Sequence, residues 1–215
     1  MGEQPRQLSR ERVLRAAVGI ADAHGLAALT MRSLAAQLGA KPMSLYYYIR
    51  NKEELLDALV DAVFEEIDLP VVGGPWRAEV RRRCLSARAV LARHPWALAL
   101  VETRTSPGPA TLRHHDAMLG VLRAGGFSLP MTAHAYAIVD AYVYGFVLQQ
   151  ASLPFDGGDS AAAVADSIMA SFAGGAYPHM VEFATQHVQQ PGYDFAGQFE
   201  FGLDLILDAL TPLAT

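Results

Sequence analysis

Apolar positions return every three to four residues along nearly the whole 215-residue chain, the period of helices that bury one face. Ser9 suits the N-cap of a first helix, with Glu11 in its opening turn and Val13, Ala16, Ala17, Ile20 and Ala21 as its apolar stripe up to Gly25. Thr30 opens a second helix, with Leu34, Ala35 and Leu38 inward and Gly39 ending it. Pro42 fits the first position of a third, where its missing N–H costs nothing, and that helix runs into Tyr46, Tyr47 and Tyr48. Asn51 caps a fourth, with Glu53 and Glu54 in its first turn and an inner face of Leu55, Leu56, Leu59, Val60, Val63, Phe64 and Ile67.

The stretch Leu69–Pro75 breaks this rhythm with proline, glycine and β-branched residues. It divides the chain into an N-terminal domain, residues 1–68, and a larger one, residues 69–215. Beyond the break the pattern predicts helices over residues 76–93, 95–103, 109–124, 129–151, 160–173, 177–189 and 195–211. No alternating β pattern of useful length and no internal repeat interrupts them, so the fold class is all-α. Residues 135–148 and 199–210 are apolar around much of their circumference. Such helices are either central in a monomer or packed on another subunit, and Gly145 and Gly202 would permit close approach in a symmetric pair.

Composition changes this picture mainly through the placement of charge. The net charge is −5, which excludes a histone-like polycation, yet residues 1–52 hold eight Lys or Arg against three acids. Residues 53–68 then hold seven acids and no base. A basic head on an acidic body is the asymmetry of a protein whose head alone meets a polyanion. Cys84 stands alone, so neither an intramolecular disulfide nor a cysteine zinc site is expected, and it reads as a core filler. The segment MGEQPRQLSRE lacks the apolar stretch of a signal peptide. No apolar run approaches the roughly 20 residues of a membrane span, so no membrane partner is expected and the setting is cytoplasmic.

Residues 30–52 hold the candidate chemistry. On a wheel of about 100° per residue, Leu45 and Ile49 share the side that fastens the third helix to its domain. Met43, Ser44 and Tyr47 point away from it, and Tyr46 and Tyr48 lie on the flanks. Met43 and tyrosine rings suit thymine methyls, Ser44 suits base edges or phosphate, and tyrosine hydroxyls suit phosphate. Tyr46 fits half-buried rim packing as well. Lys41 and Lys52 bracket the helix and Arg32 begins the preceding one, where cations would neutralise phosphates on either side of a groove. A short helix, a glycine turn and a second short helix with an uncommitted outer face follow helix-turn-helix logic, with the second helix in the major groove.

The segment resembles the DNA-binding domain of TetR-type transcriptional repressors, through Thr30, Arg32, Leu34, Ala35, Leu38, Gly39, Leu45, Tyr46, Ile49, Asn51, Lys52, Leu55 and Leu56. Ala40 stands where the family pattern has valine. The resemblance implies that Thr30, Arg32, Lys41, Pro42, Met43, Ser44, Tyr46, Tyr47, Tyr48 and Lys52 line a surface for a double-stranded DNA operator. Trp76, Leu91 with His94, Thr103-Arg104, Gly126 to Leu129, Gly145 and Phe201-Gly202-Leu203 follow the order of the tetracycline-repressor branch. In that branch two long helices of each subunit form a four-helix homodimer interface, and the matching segments are residues 129–151 and 195–211.

The resemblance weakens around the effector. Leu100 stands where tetracycline repressors place a magnesium-ligating histidine, and the other polar tetracycline contacts fall on Asp68, Arg83, Met118 and Ala141. A magnesium–tetracycline effector is therefore not expected, and neither a metal nor a cofactor is assigned. Arg104, His115, Met118, Tyr136 and Asp140 are the candidate ligand residues, with Trp96, His114, His134, Tyr142 and Phe146 behind them. A helical pocket of that kind suits an apolar or aromatic small molecule. The resemblance implies a ligand-responsive repressor of a palindromic operator; an activator of the same build is the alternative. A helical enzyme using His114, His115 and His134 is disfavoured, because no nucleophile elbow, phosphate loop or HExxH is present.

Overall fold

Caps set the first three helices. The computed structural model describes residues 8–101, 103–155, 158–172 and 176–211. Helix α1 spans Arg10–His24, and the Ser9 hydroxyl accepts from the Arg12 amide at 3.2 Å. Helix α2 spans Met31–Leu38 behind a reciprocal cap: the Ser33 amide donates to the Thr30 hydroxyl at 3.0 Å, and the Thr30 amide to the Ser33 hydroxyl at 2.9 Å. Gly39 then turns left-handed, with φ 62° and ψ 30°, a conformation that strains any residue with a Cβ. Helix α3 follows at Pro42–Leu45. Val13, Ala17, Ile20, Leu34, Leu45 and Ile49 close the small core these helices share.

Helix α4, Lys52–Glu66, leads out of the head, with the Asn51 side chain capping the Glu54 amide at 2.8 Å. The body comprises α5 (Trp76–Arg93), α6 (Leu98–Val101), α7 (Pro109–Ala124), α8 (Leu129–Ser152), α9 (Gly158–Met169), α10 (Pro178–Phe183) and α11 (Gln198–Leu210). Among the described residues there is no strand. Helix α4 packs chiefly on α7, while α5 packs on α8, α7 and α11. The buried core runs unbroken from Val13 to Leu210, across the break at residues 69–75. Four basic–acidic contacts tie α5 to α11: Arg77 to Asp204 and Asp208, and Arg81 to Glu200 and Asp204. Cys84 lies in the core, and burial pushes its thiol up to about 11, away from the reactive thiolate.

Five segments depart from the periodic pattern. The third helix is regular only over Pro42–Leu45; Tyr46–Tyr48 form hydrogen-bonded turns on the Leu45 carbonyl, because Asn51 must already be extended to cap α4. Residues 95–103 split into a 3₁₀ turn at Pro95–Ala97 and the four-residue α6, where Pro95 and the Thr103 hydroxyl on the Ala99 and Leu100 carbonyls mark the limits. The predicted helix over 177–189 widens after α10 into a π turn, Ala184–Val188, and that over 195–211 opens with a 3₁₀ turn, Phe195–Gly197. Helix α9 begins at Gly158, two residues before the expected start. It ends at Met169, short of the expected residue 173, because the chain turns through residues 170–172; residue 173 itself, Asp156 and Gly157 of the preceding loop, and Glu3 and Arg6 of the basic head lie outside the described residues.

Candidate DNA-reading surface and ligand cavity

The head presents a small surface built on two anchors. Leu45 and Ile49 are fully buried, which fixes the turn that carries their neighbours. Tyr47 is 89% exposed and Met43 74%, while Ser44 and Tyr48 are half-buried and Tyr46 sits between. Tyr48 packs against the head core, a structural task beside any contact it makes outward. Thr30, Arg32, Lys41, Pro42 and Lys52 are exposed around this turn, although the Thr30 hydroxyl is already engaged in its cap.

The cations divide into two groups. Arg15 pairs with Glu11, and Arg10 and Arg50 both reach Glu54, whose carboxyl the Arg50 backbone N–H and guanidinium hold below its usual range. Arg32, Lys41 and Lys52 form no ion pair among the described residues. The cations left without acids are those flanking the exposed tyrosines, an arrangement suited to phosphates on both sides of a groove.

The second feature is a cavity of about 570 Å³ between α4, α7, α8 and the segment 101–108. Arg104, His115, Tyr136 and Asp140 all line it, so four of the five candidate ligand residues meet there. Met118 does not: one turn along α7 from His115, it is fully buried in the core. The secondary candidates also lie elsewhere. The Trp96 indole donates to Asp22 at 2.6 Å, His134 is exposed, and Tyr142 and Phe146 stack with Phe199 and Phe195. His114 sits behind the wall, its ring 5.7 Å from that of Phe64.

The charged groups Asp140, Arg104 and Asp57 in the wall are already paired. Arg83, with a side chain 1% exposed, donates to Asp140 at 2.6 Å. Burial works against the guanidinium charge, but the Asp140 carboxylate outweighs it and the Arg83 pKa rises. Burial also raises the Tyr136 phenol, and Asp140 adds to this. At the other end Arg104 donates to Asp57 at 2.6 Å and Glu53 at 2.7 Å. Asp57, Val60 and Phe64 come from α4, and sequence reasoning missed them because their period assigned that helix wholly to the head. Gly202 also departs from expectation: a Cβ there would fall 2.2 Å from the Tyr142 hydroxyl, so its close approach is within the subunit, between α11 and α8. Around Gly145 the space is open.

The positions matched to tetracycline contacts scatter. Leu100, Arg83 and Met118 are buried, Asp68 pairs with Arg82 at 3.3 Å, and Ala141 alone of them lines the cavity.

A helix-turn-helix head on a helical body with a cavity between them is the architecture of a one-component bacterial regulator. The family profile described as "Bacterial regulatory proteins, tetR family" matches residues 13–59, and "Tetracyclin repressor-like, C-terminal domain" matches residues 69–213. The chain belongs to the TetR family of transcriptional regulators. It is 35% identical over 215 residues to the HTH-type transcriptional repressor DrrR1 of Streptomyces coeruleorubidus, spanning 96% of this chain and 78% of that one. An HTH-type transcriptional regulator of Saccharopolyspora erythraea is 40% identical over 141 residues, which cover 65% of this chain and 60% of that relative's length. Among solved structures, the TetR family protein ActR of Streptomyces coelicolor in complex with actinorhodin superposes with a TM-score of 0.77 at 30% identity, over 97% of this chain and 99% of that one.

Proposed function

We propose that this protein is a homodimeric repressor that binds a palindromic operator and releases it when a small molecule fills the cavity. The observation that carries this reading is the double role of α4. Its first residue, Lys52, borders the reading turn, while its Asp57, Val60 and Phe64 form part of the cavity wall. Occupancy of the cavity and placement of the head are thereby linked through one rigid element. Residues 1–68 would serve DNA and residues 69–215 effector and dimer, with the protein acting in the cytoplasm as a regulator and not an enzyme.

Dimerisation is supported by apolar side chains left exposed on the two long helices, Ile138 and Leu148 on α8 and Phe201 and Leu205 on α11. Pairing those faces would bury them and bring two heads to successive major grooves, roughly 34–36 Å apart. The cavity wall sets Phe64, Tyr136 and Tyr144 in a mostly apolar surface, with Asp57, Arg104, His115 and Asp140 as polar groups, which favours an aromatic effector over a magnesium–tetracycline complex. Actinorhodin, held by ActR, is the first probe.

The test is operator affinity measured with and without saturating effector. Linkage requires DNA and effector to weaken each other's binding by the same factor, so equal operator affinity in both states sinks induction. Transcript levels of neighbouring genes after deletion rise for a repressor and fall for an activator.

A further inference from the structure

Helix α4 carries Glu53, Asp57, Asp61 and Glu65 at intervals of four, so their carboxylates form one row. Like charges at this spacing destabilise a helix unless something outside it compensates. Every member of the row is held by the body. Arg104 takes Glu53 and Asp57, Arg113 takes Glu65, and Asp61 Oδ1 accepts from the Thr111 amide at 2.8 Å and the Thr111 hydroxyl at 3.1 Å.

The Asp61 contact differs in kind from the others. Helix α7 begins after Gly108, an N-cap with no side chain to satisfy the first amides. Asp61 supplies the missing acceptor from another helix, and its charge also suits the positive end of the α7 dipole. The approach requires glycine: a Cβ on Gly108 would lie 2.3 Å from the Asp61 Cγ and 2.5–2.6 Å from its two oxygens. Gly108 has φ −79°, an ordinary value, so contact and not backbone conformation demands the glycine.

We propose that Asp61 and Gly108 are positioning residues for DNA binding: the Asp61 cap on α7 fixes α4 against the body and so sets where the reading turn stands. Lys52 lies nine residues before Asp61, about 14 Å along a helix at 1.5 Å per residue, so a small tilt at the cap becomes a larger displacement at the DNA. Asp57, Arg104, Gly108 and Thr111 also line the cavity, so a ligand there meets the same row. This inference rests on the regulator reading above.

The experiment uses full-length protein and a DNA duplex selected from a random pool by the wild type, with affinity read by fluorescence anisotropy. Gly108→Ala, which drives Asp61 off Thr111, loses about tenfold in affinity, the equivalent of one cap, at an unchanged oligomeric state. Asp61→Ala speeds amide hydrogen exchange at Thr111 and also weakens binding. The double variant binds more tightly than Gly108→Ala alone, because the clash has gone. Asp61→Asn, which keeps an acceptor oxygen, stays close to wild type in both readouts and remains informative if Gly108→Ala fails to fold. Wild-type affinity in both Gly108→Ala and Asp61→Ala overturns the proposal, as does a double variant no better than Gly108→Ala. If the wild type selects no duplex, the regulator reading fails and the positioning role falls with it.

Discussion

The head and the cavity handle their polar groups in opposite ways. Around the reading turn, Arg32, Lys41 and Lys52 stand in solvent without acid partners among the described residues, and Tyr47 projects with nearly its whole surface bare. In the cavity, Asp140 is bound by Arg83 from behind the wall, and Arg104 holds two carboxylates at once. The head is a surface awaiting a partner, and a polyanion loses nothing internal by binding it. In the cavity Asp140, Arg104 and Asp57 already have partners, so a ligand that engages them must replace bonds of similar strength. With DNA as that partner, as proposed, affinity on the first surface would rise with each phosphate met. In the second, the proposed effector would be selected by whether it reproduces the internal bonds, with apolar contact to Phe64, Tyr136 and Tyr144 supplying the remaining attraction.

The sharpest break of this contrast is to unpair the cavity. Asp140→Ala leaves the Arg83 guanidinium, 1% exposed, without its counter-ion. The cost is about 3–5 kcal/mol of stability, the usual result of stranding one buried charge. Replacing both partners, as Arg83→Met with Asp140→Leu, loses much less, because no charge is then buried. Urea unfolding of both variants measures this, and equal losses in the single and double variants would show the pair to be incidental. The matching change on the head, Tyr47→Ala, leaves stability within about 0.5 kcal/mol. Operator affinity nevertheless drops by about 1–3 kcal/mol, with altered preference at one base pair.

Smaller still is the effect of Lys52→Ala. With no internal partner to strand, it weakens binding to all duplexes alike and lowers the salt slope by about 0.9. Titrating specific and random DNA across salt concentrations separates it from Tyr47→Ala. If both variants changed sequence preference, the division of the surface into readers and phosphate contacts would collapse.

Much of the head is legible in the chain because its determinants are local. Ser9, Thr30 and Asn51 cap amides three residues on, and Gly39 supplies a left-handed turn, all within a single hydrogen-bonding reach. The brevity of α3 was less visible, since the tyrosines continue a helical period while the Asn51 cap stops the helix early. The cavity depends on which faces distant helices share. Arg83 and Asp140 are 57 positions apart, and neither position declares a partner. Met118 shares the His115 side of α7 yet packs into the core one turn on, because family order locates a residue on a helix without fixing how deeply that turn is buried. Asp57 and Phe64 were assigned to the head for the complementary reason: α4 serves two cores, and its inner stripe does not record where one ends.

The finest test concerns a group buried behind the cavity wall without a counter-ion. His114 is buried beside Phe64, and burial, then Arg83 and Arg113, lowers its pKa from 6.5, while a hydrogen bond to the Phe64 backbone opposes the shift. A histidine with a depressed folded pKa is neutral in the fold at a pH where the unfolded chain already takes up a proton. Its contribution to stability is therefore complete above the unfolded value and is lost as pH falls from about 6.5 toward the lower folded pKa. Carboxylates held below their usual range, such as Glu66 and Asp204, lose their contributions only near and below ordinary carboxylate values. Between pH 6.5 and 5.5 the two effects separate. His114→Gln should flatten the stability–pH curve of chemical unfolding across that interval and leave its acid limb unchanged. A slope identical to wild type would mean that the imidazole takes its proton as readily in the fold as in water, and that the rear of the cavity is wetter than its packing implies.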